Sequence, residues 1–251
     1  MPLKTITVTN QKGGVAKTTS SVNLAACLTL SGNKVLVIDL DPQGQAGEHL
    51  GVNESEVTVL DVLTKKATAL EAMQKTYREN LFVLNSNIQL GSFNQQSATG
   101  SQFALREALE PLQNSFDFVI IDCQPSLSLL TLNALTAANY VILPVQSEFF
   151  ALDGLTQLIL TLKEIQNSLN PDLKVLGILL TMFDKRNRLS MEVKNELFKN
   201  FEDELFHTII PRNVKLAEAP SFGKAIIDYD NNSLGADAYR NLAKEVLKKI
   251  K

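Results

Sequence analysis

The chain has 251 residues, 45% hydrophobic, 20% charged and 6% aromatic, with a mean hydropathy of +0.01, a composition that supplies a sizeable buried core and excludes disordered, collagen-like and coiled-coil classes. A formal net charge of −3 excludes a uniformly basic nucleic-acid binder, but the charge is unevenly spread. Residues 1–173 carry ten Lys and Arg against sixteen Asp and Glu, and residues 174–251 carry fourteen against eleven, so any local basic face belongs to the C-terminal third.

Seven β-branched runs recur along the chain: residues 6–9 (ITVT), 35–39 (VLVID), 81–84 (LFVL), 118–122 (FVIID), 140–145 (YVILPV), 175–181 (VLGILLT) and 208–210 (TII). Each is predicted as a strand. Near-continuous apolar runs suit strands buried on both faces, and the segments between them are long enough for right-handed helical crossovers. The expected fold is α/β: a doubly wound, mostly parallel sheet of about seven to eight strands flanked by helices. Helical patterns are read in SSVNLAACLTL (residues 20–30), in residues 67–75, and in residues 234–251. The last has apolar residues at Leu234, Ala238, Leu242, Val246 and Ile250, with Lys248, Lys249 and Lys251 at the favourable end of the macrodipole, and reads as a packed terminal helix. No repeat, low-complexity tract or linker interrupts the chain, so residues 1–251 are expected to form one domain.

Cys27 and Cys123 are too far apart for a metal knuckle and too few for a disulfide framework, and both read as core thiols. His49 and His207 are isolated. No window reaches 18 uninterrupted apolar residues and the N-terminal MPLKTITVTN lacks a signal-peptide core, so the chain is expected in the cytoplasm without stable membrane association.

The sharpest chemical signal is NQKGGVAKTT, residues 10–19, between the first strand and a helix. That order aims backbone N–H groups and the positive end of a helix dipole at one point, which suits a polyphosphate. Lys17 is placed to reach the β/γ-phosphates and the Thr18 hydroxyl to bind Mg²⁺. The usual pattern, G-x-x-x-x-G-K-[ST], is broken twice, by Gln11 and Ala16. Asp39, Asp41 and Asp122 stand at C-terminal strand ends, where open α/β sheets bind ligands.

The local form KGGVAKT resembles the deviant Walker A loop of the ParA/MinD family of P-loop NTPases, with Lys12 as its extra signature lysine. VIDLDPQGQAG is similar to that family's switch I and FVIIDCQPSL to its Walker B strand and switch II. PVQSEFFALDG, LLTMFD and IIPRNVKLAEAPSFGKAIIDYD resemble the partition branch, the small Soj/ParA-type ATPases, which also begin at the P-loop strand; the likeness spans nearly the whole chain.

The resemblance implies an ATPase with ATP and Mg²⁺ as cofactors. Gly13, Gly14, Val15, Ala16, Lys17, Thr18 and Thr19 are then expected around the phosphates, and Met182, Pro211 and Asn213 around adenine. Thr18, Asp41 and Asp122 are expected at the metal, Asp122 through water, while Asp41 positions the attacking water. Lys12, Lys17 and Asp41 form the expected catalytic set, with Lys12 reaching the partner subunit's nucleotide. Phosphoryl transfer needs mainly positioning and charge neutralisation, so a lysine supplied in trans makes hydrolysis depend on dimerisation and keeps it slow.

The resemblance also implies an ATP-driven homodimer, nonspecific DNA binding through Arg186, Arg188 and Lys215, and a ParB-like activator that stimulates hydrolysis. The chain is then nucleoid-associated and segregates a chromosome, plasmid or other cargo. The alternative is a MinD-like membrane-associated ATPase, which the absence of an amphipathic tail rich in bulky aromatics disfavours. A cluster-bearing reductase needs cysteine patterns the chain lacks. Two departures bear on activity: the Ala16 methyl is harmless at negative φ and costly at positive φ, and Gln124 replaces a proline found in many relatives.

Overall fold

The computed structural model describes residues 2–53, 55–95, 99–148 and 151–251. Its strands are β1 (Lys4–Val8), β2 (Val35–Leu40), β3 (Gln74–Lys75), β4 (Leu81–Leu84), β5 (Phe118–Cys123), β6 (Tyr140–Gln146) and β7 (Lys174–Thr181). They form one sheet in the order β3-β4-β2-β5-β1-β6-β7, parallel throughout except for the antiparallel pairing of β3 with β4. Six of the seven strands lie within two residues of the bounds expected from sequence.

Alternate positions of each strand serve opposite faces. Val35, Val37, Phe118 and Ile120 pack under the helix Lys17–Thr29 and the terminal helix Leu234–Ile250. Leu36, Ile38, Val119 and Ile121 pack on the other face, under the helices Val59–Leu63, Ala104–Leu109 and Leu129–Ala137. Each such aliphatic side chain contributes about 1.5–3 kcal/mol on full burial, which is why these strands tolerate no polar alternation.

The chain leaves β1 toward β2 on one side and passes from β5 to β6 on the other, so β1 flanks the reversal at which a crevice opens above the strand ends. Register aligns Val8 of β1 with Asp122 of β5, and Asp122 with Asp39 of β2. Both acids therefore lie level with the end of β1, beside the loop that follows it.

Two expected elements differ. Residues 67–75 hold only a short helix, Ala69–Ala72, capped by a reciprocal Thr68–Glu71 box. The chain then extends, and Gln74 and Lys75 pair with Val83 and Phe82, so sheet pairing overrides the helical pattern. Residues 208–210 form no regular strand: the segment runs beside β7 through isolated bridges, Ile178 to Leu205 and Phe183 to Pro211. Its outer edge is blunted, because the His207 and Thr208 N–H groups donate to the Glu245 carboxylate (2.8 and 3.0 Å) and Pro211 has no N–H. The first helix begins at Lys17, three residues before the pattern suggested. Among the described residues no helix is long and apolar enough to cross a membrane.

Candidate nucleotide site

The loop after β1 turns on two left-handed residues, Gly14 (φ 74°) and Ala16 (φ 64°, ψ 37°). Glycine adopts that region freely, whereas the Ala16 methyl makes it strained. Added Cβ atoms at Gly13 and Gly14 would meet nothing within 4 Å, so the outer side of the loop is open. Neighbouring strands brace the inner side. Asn10 accepts from the Lys12 N–H (2.9 Å) and donates to the Pro144 carbonyl of β6 (2.7 Å), and the Thr181 hydroxyl of β7 donates to the carbonyl of buried Val15 (3.0 Å).

Within this frame Lys17 is buried, and its ammonium donates to the backbone carbonyl of Lys12 (2.9 Å). Burial lowers its pKa, against the opposing pull of Asp122, Cys123 and Asp41. Asp122 accepts from the Thr18 hydroxyl (2.6 Å) and, through its other oxygen, from the Ser21 hydroxyl (2.8 Å). Burial raises the Asp122 pKa, and the Thr18 and Ser21 hydroxyls and Lys17 hold it down. Asp39 is fully buried and accepts from the backbone N–H groups of Asp41 (2.9 Å) and Ala46 (2.8 Å). Burial, then the charge of Asp122, raises the Asp39 pKa. Asp39 thus ties both ends of the loop that carries Asp41, and among the described residues the half-buried Asp41 carboxyl accepts a local bond from the Gln43 N–H (3.0 Å).

Met182 (φ 50°), Pro211 and Asn213 line a cavity of about 360 Å³ together with Ala16, Thr19 and Tyr239. The structure therefore brings the adenine candidates against the phosphate-loop candidates. The Asn213 side chain itself is engaged in capping the helix Val214–Glu218, accepting from the Lys215 N–H (2.8 Å). Among the described residues no group of three His, Cys, Asp or Glu side chains forms a metal cage. What fits a divalent cation is the Thr18 oxygen, whose proton is committed to Asp122 and whose lone pairs remain available, together with phosphate oxygens and water.

Residues 3–175 match the AAA domain family. Across almost the full length, the chain is 48% identical to the sporulation initiation inhibitor protein Soj of Bacillus subtilis, covering 97% of this chain and 98% of that protein. The chain belongs to the ParA/Soj family of partition ATPases. Identity to the chromosome partitioning protein ParA of Caulobacter vibrioides is 44%, over 98% of this chain and 94% of that one. A solved structure from Mycobacterium smegmatis, described as cobyrinic acid a,c-diamide synthase with bound ADP and magnesium, matches with a TM-score of 0.85 and 38% identity over 98% and 94% of the two chains.

For this ParA/Soj-family chain the fold places several groups that motif reading passed over. Ser21 lies three residues after Thr18, on the same helical face, and that spacing was the available signal. Glu148 pairs with the half-exposed Lys12 ammonium at the mouth of the site, and a contact between residues so distant in sequence had no local signal. Its neighbours Phe149 and Phe150, within the PVQSEFFALDG segment, lie outside the described residues. Gln124 donates to the Ser128 hydroxyl (2.5 Å), a tether between the loop after β5 and the N-cap of the helix Leu129–Ala137.

The three DNA candidates are exposed and each is ion-paired within its own chain: Arg186 with Asp184 (2.8 Å), Arg188 with Glu192 (2.8 Å) and Lys215 with Glu218 (2.9 Å). Both cysteines are buried, as expected, and burial pushes the Cys27 thiol up to about 12.

Proposed function

We propose that the chain is a Mg²⁺-dependent ATPase that dimerises on ATP, holds DNA nonspecifically as the dimer, and releases it when a ParB-like activator stimulates hydrolysis, so moving a chromosome, plasmid or other cargo over the nucleoid in the cytoplasm. The observation that carries this reading is the Lys17, Thr18, Ser21 and Asp122 cluster beneath the Gly14–Ala16 turn, continuous with the cavity at Met182 and Pro211.

Backbone N–H groups at the start of the helix Lys17–Thr29 receive the phosphates, and the Lys17 ammonium exchanges the Lys12 carbonyl for the β- and γ-oxygens. Thr18, with Asp122 behind it, holds Mg²⁺, which supplies charge neutralisation when bound. Asp41, on the loop anchored by Asp39, orients the attacking water. Lys12 leaves Glu148 and reaches the nucleotide of the second subunit, so hydrolysis waits for the dimer.

The test is sedimentation with ATP, ADP or no nucleotide, run beside a turnover assay. Wild type and Asp41→Ala should dimerise only with ATP and Mg²⁺, and Asp41→Ala should lose about 100-fold or more in turnover with the dimer intact. Lys17→Ala should lose nucleotide affinity itself. An Asp41→Ala protein that stays monomeric at saturating ATP disproves the two-subunit reading.

A further inference from the structure

Residues 213–223 connect three places that sequence separates. At one end Asn213 and Val214 line the adenine cavity. At the other, Gly223 (φ 62°) packs backbone to backbone on Gly51 (φ 73°), which closes the short helix Gln45–His49 of the Asp41 loop. A Cβ on Gly223 would lie 2.8 Å from the Gly51 Cα, and one on Gly51 would lie 3.1 Å from the Gly223 carbonyl oxygen. Between these ends the Lys215 ammonium donates to Glu218 (2.9 Å), and the same carboxylate oxygen accepts from the Tyr229 hydroxyl (2.8 Å). That ammonium also lies 5.7 Å from the centre of the Tyr229 ring, on which Phe222 packs at 4.9 Å.

We propose that this segment is a latch that holds Lys215 closed on Glu218 and Tyr229 until ATP fills the site, and that Glu218 thereby sets the nucleotide dependence of DNA binding. The inference rests on the DNA-binding reading above. An ammonium already satisfied by a carboxylate and an aromatic face gains little from a DNA phosphate, because it exchanges one anion for another. Glu218 is no floating counter-ion: Tyr229 fixes the oxygen that Lys215 uses.

Two levers reach the latch. The Asn213 side chain caps the Lys215 N–H, so adenine binding against Asn213 moves the lysine backbone directly. The Gly51–Gly223 contact has no side chain to absorb motion, so displacement of the Asp41 loop by a γ-phosphate passes into the end of the segment.

The experiment is filter retention of random-sequence duplex DNA by wild type, Glu218→Gln and Tyr229→Phe in ATP, ADP and no nucleotide, with ATP-driven dimerisation followed by sedimentation. Glu218→Gln should raise retention in ADP and without nucleotide by about threefold per subunit, leave the ATP state nearly unchanged, and so shrink the ATP/ADP ratio. Tyr229→Phe alters no charge and should shift the ratio the same way by less. Equal tightening by Glu218→Gln in all three states is simple charge removal and overturns the latch, as does an unchanged ratio. A wild type that retains no DNA in any state overturns the DNA-binding reading and the latch with it.

Discussion

Ala16→Gly tests the phosphate loop most directly, because Ala16 is one of the two positions at which the loop departs from the usual pattern and the backbone there is left-handed. An alanine in that region carries about 1–2 kcal/mol of strain. Glycine relieves it but loses about 0.5–1 kcal/mol of unfolded-chain entropy. The net expectation is a gain of about 0.5 kcal/mol, or about 1–2 °C in Tm for a chain of this size. Ala16→Val should go the other way by about 2 kcal/mol or more, since a β-branched residue fits this region worst and its branch enters the cavity that Ala16 lines.

Thermal unfolding without nucleotide reads the stability series. Turnover with DNA and activator reads its functional side, where closure of the loop without the strained methyl should accelerate hydrolysis about two- to fivefold. An Ala16→Gly protein destabilised by about 1 kcal/mol or more would refute the strain argument. Equal turnover in wild type and Ala16→Gly would show that this position does not tune hydrolysis.

Two further predictions follow from buried and paired groups. His49 is buried with no partner for Nε2 among the described residues, and burial lowers its pKa from 6.5 to about 4. The unfolded chain then takes up the proton first, so this stability is complete above pH 6.5 and is lost as pH falls toward 4. At pH 5 the loss is about 2 kcal/mol; urea unfolding of wild type and His49→Leu should diverge by that amount between pH 7.5 and pH 5, and parallel pH curves would remove the assignment. Glu148→Gln should free Lys12 and strengthen the ATP-driven dimer about two- to fivefold in sedimentation, and a weaker dimer would place Glu148 in the interface rather than in restraint of Lys12.

The central strands were legible because runs such as VLVID and FVIID are apolar on both faces, and only a doubly covered parallel sheet buries both. The edges were not. Gln74 and Lys75 carry no strand signal of their own and are extended only because β4 offers an open edge, while residues 208–210 carry a strong signal that Glu245 and Pro211 interrupt. In the site, motif spacing placed Lys17, Thr18, Asp41 and Asp122 together, but the three carboxylates looked alike. Their hydrogen bonds separate them: Asp39 is committed to two backbone N–H groups, Asp122 to two hydroxyls, and Asp41 is left at the mouth. The pairing of Arg188 with Glu192 and of Lys215 with Glu218 follows helical i,i+4 and i,i+3 spacing, so it too was readable, and it changes the meaning of the basic C-terminal third.

The choice of partner for each lysine carries a physical logic. Lys12 lies near the surface, where an ion pair with Glu148 is weak and readily exchanged, while Lys215 is held more firmly, because Tyr229 fixes the Glu218 oxygen it uses. Lys17 is buried beside Asp122, yet its ammonium donates to a neutral carbonyl, and Asp122 is engaged by Thr18 and Ser21. A direct Lys17–Asp122 bridge in that buried setting would be costly to break, and every binding event would have to overcome it. A carbonyl holds the ammonium with only a neutral acceptor, so replacing it with a phosphate exchanges a modest hydrogen bond for a charge-assisted one. The two hydroxyls are therefore part of how the site keeps Lys17 available: they satisfy the acid that would otherwise capture the lysine. Ser21, absent from the motif, shares that role with Thr18, each hydroxyl donating to one oxygen of Asp122.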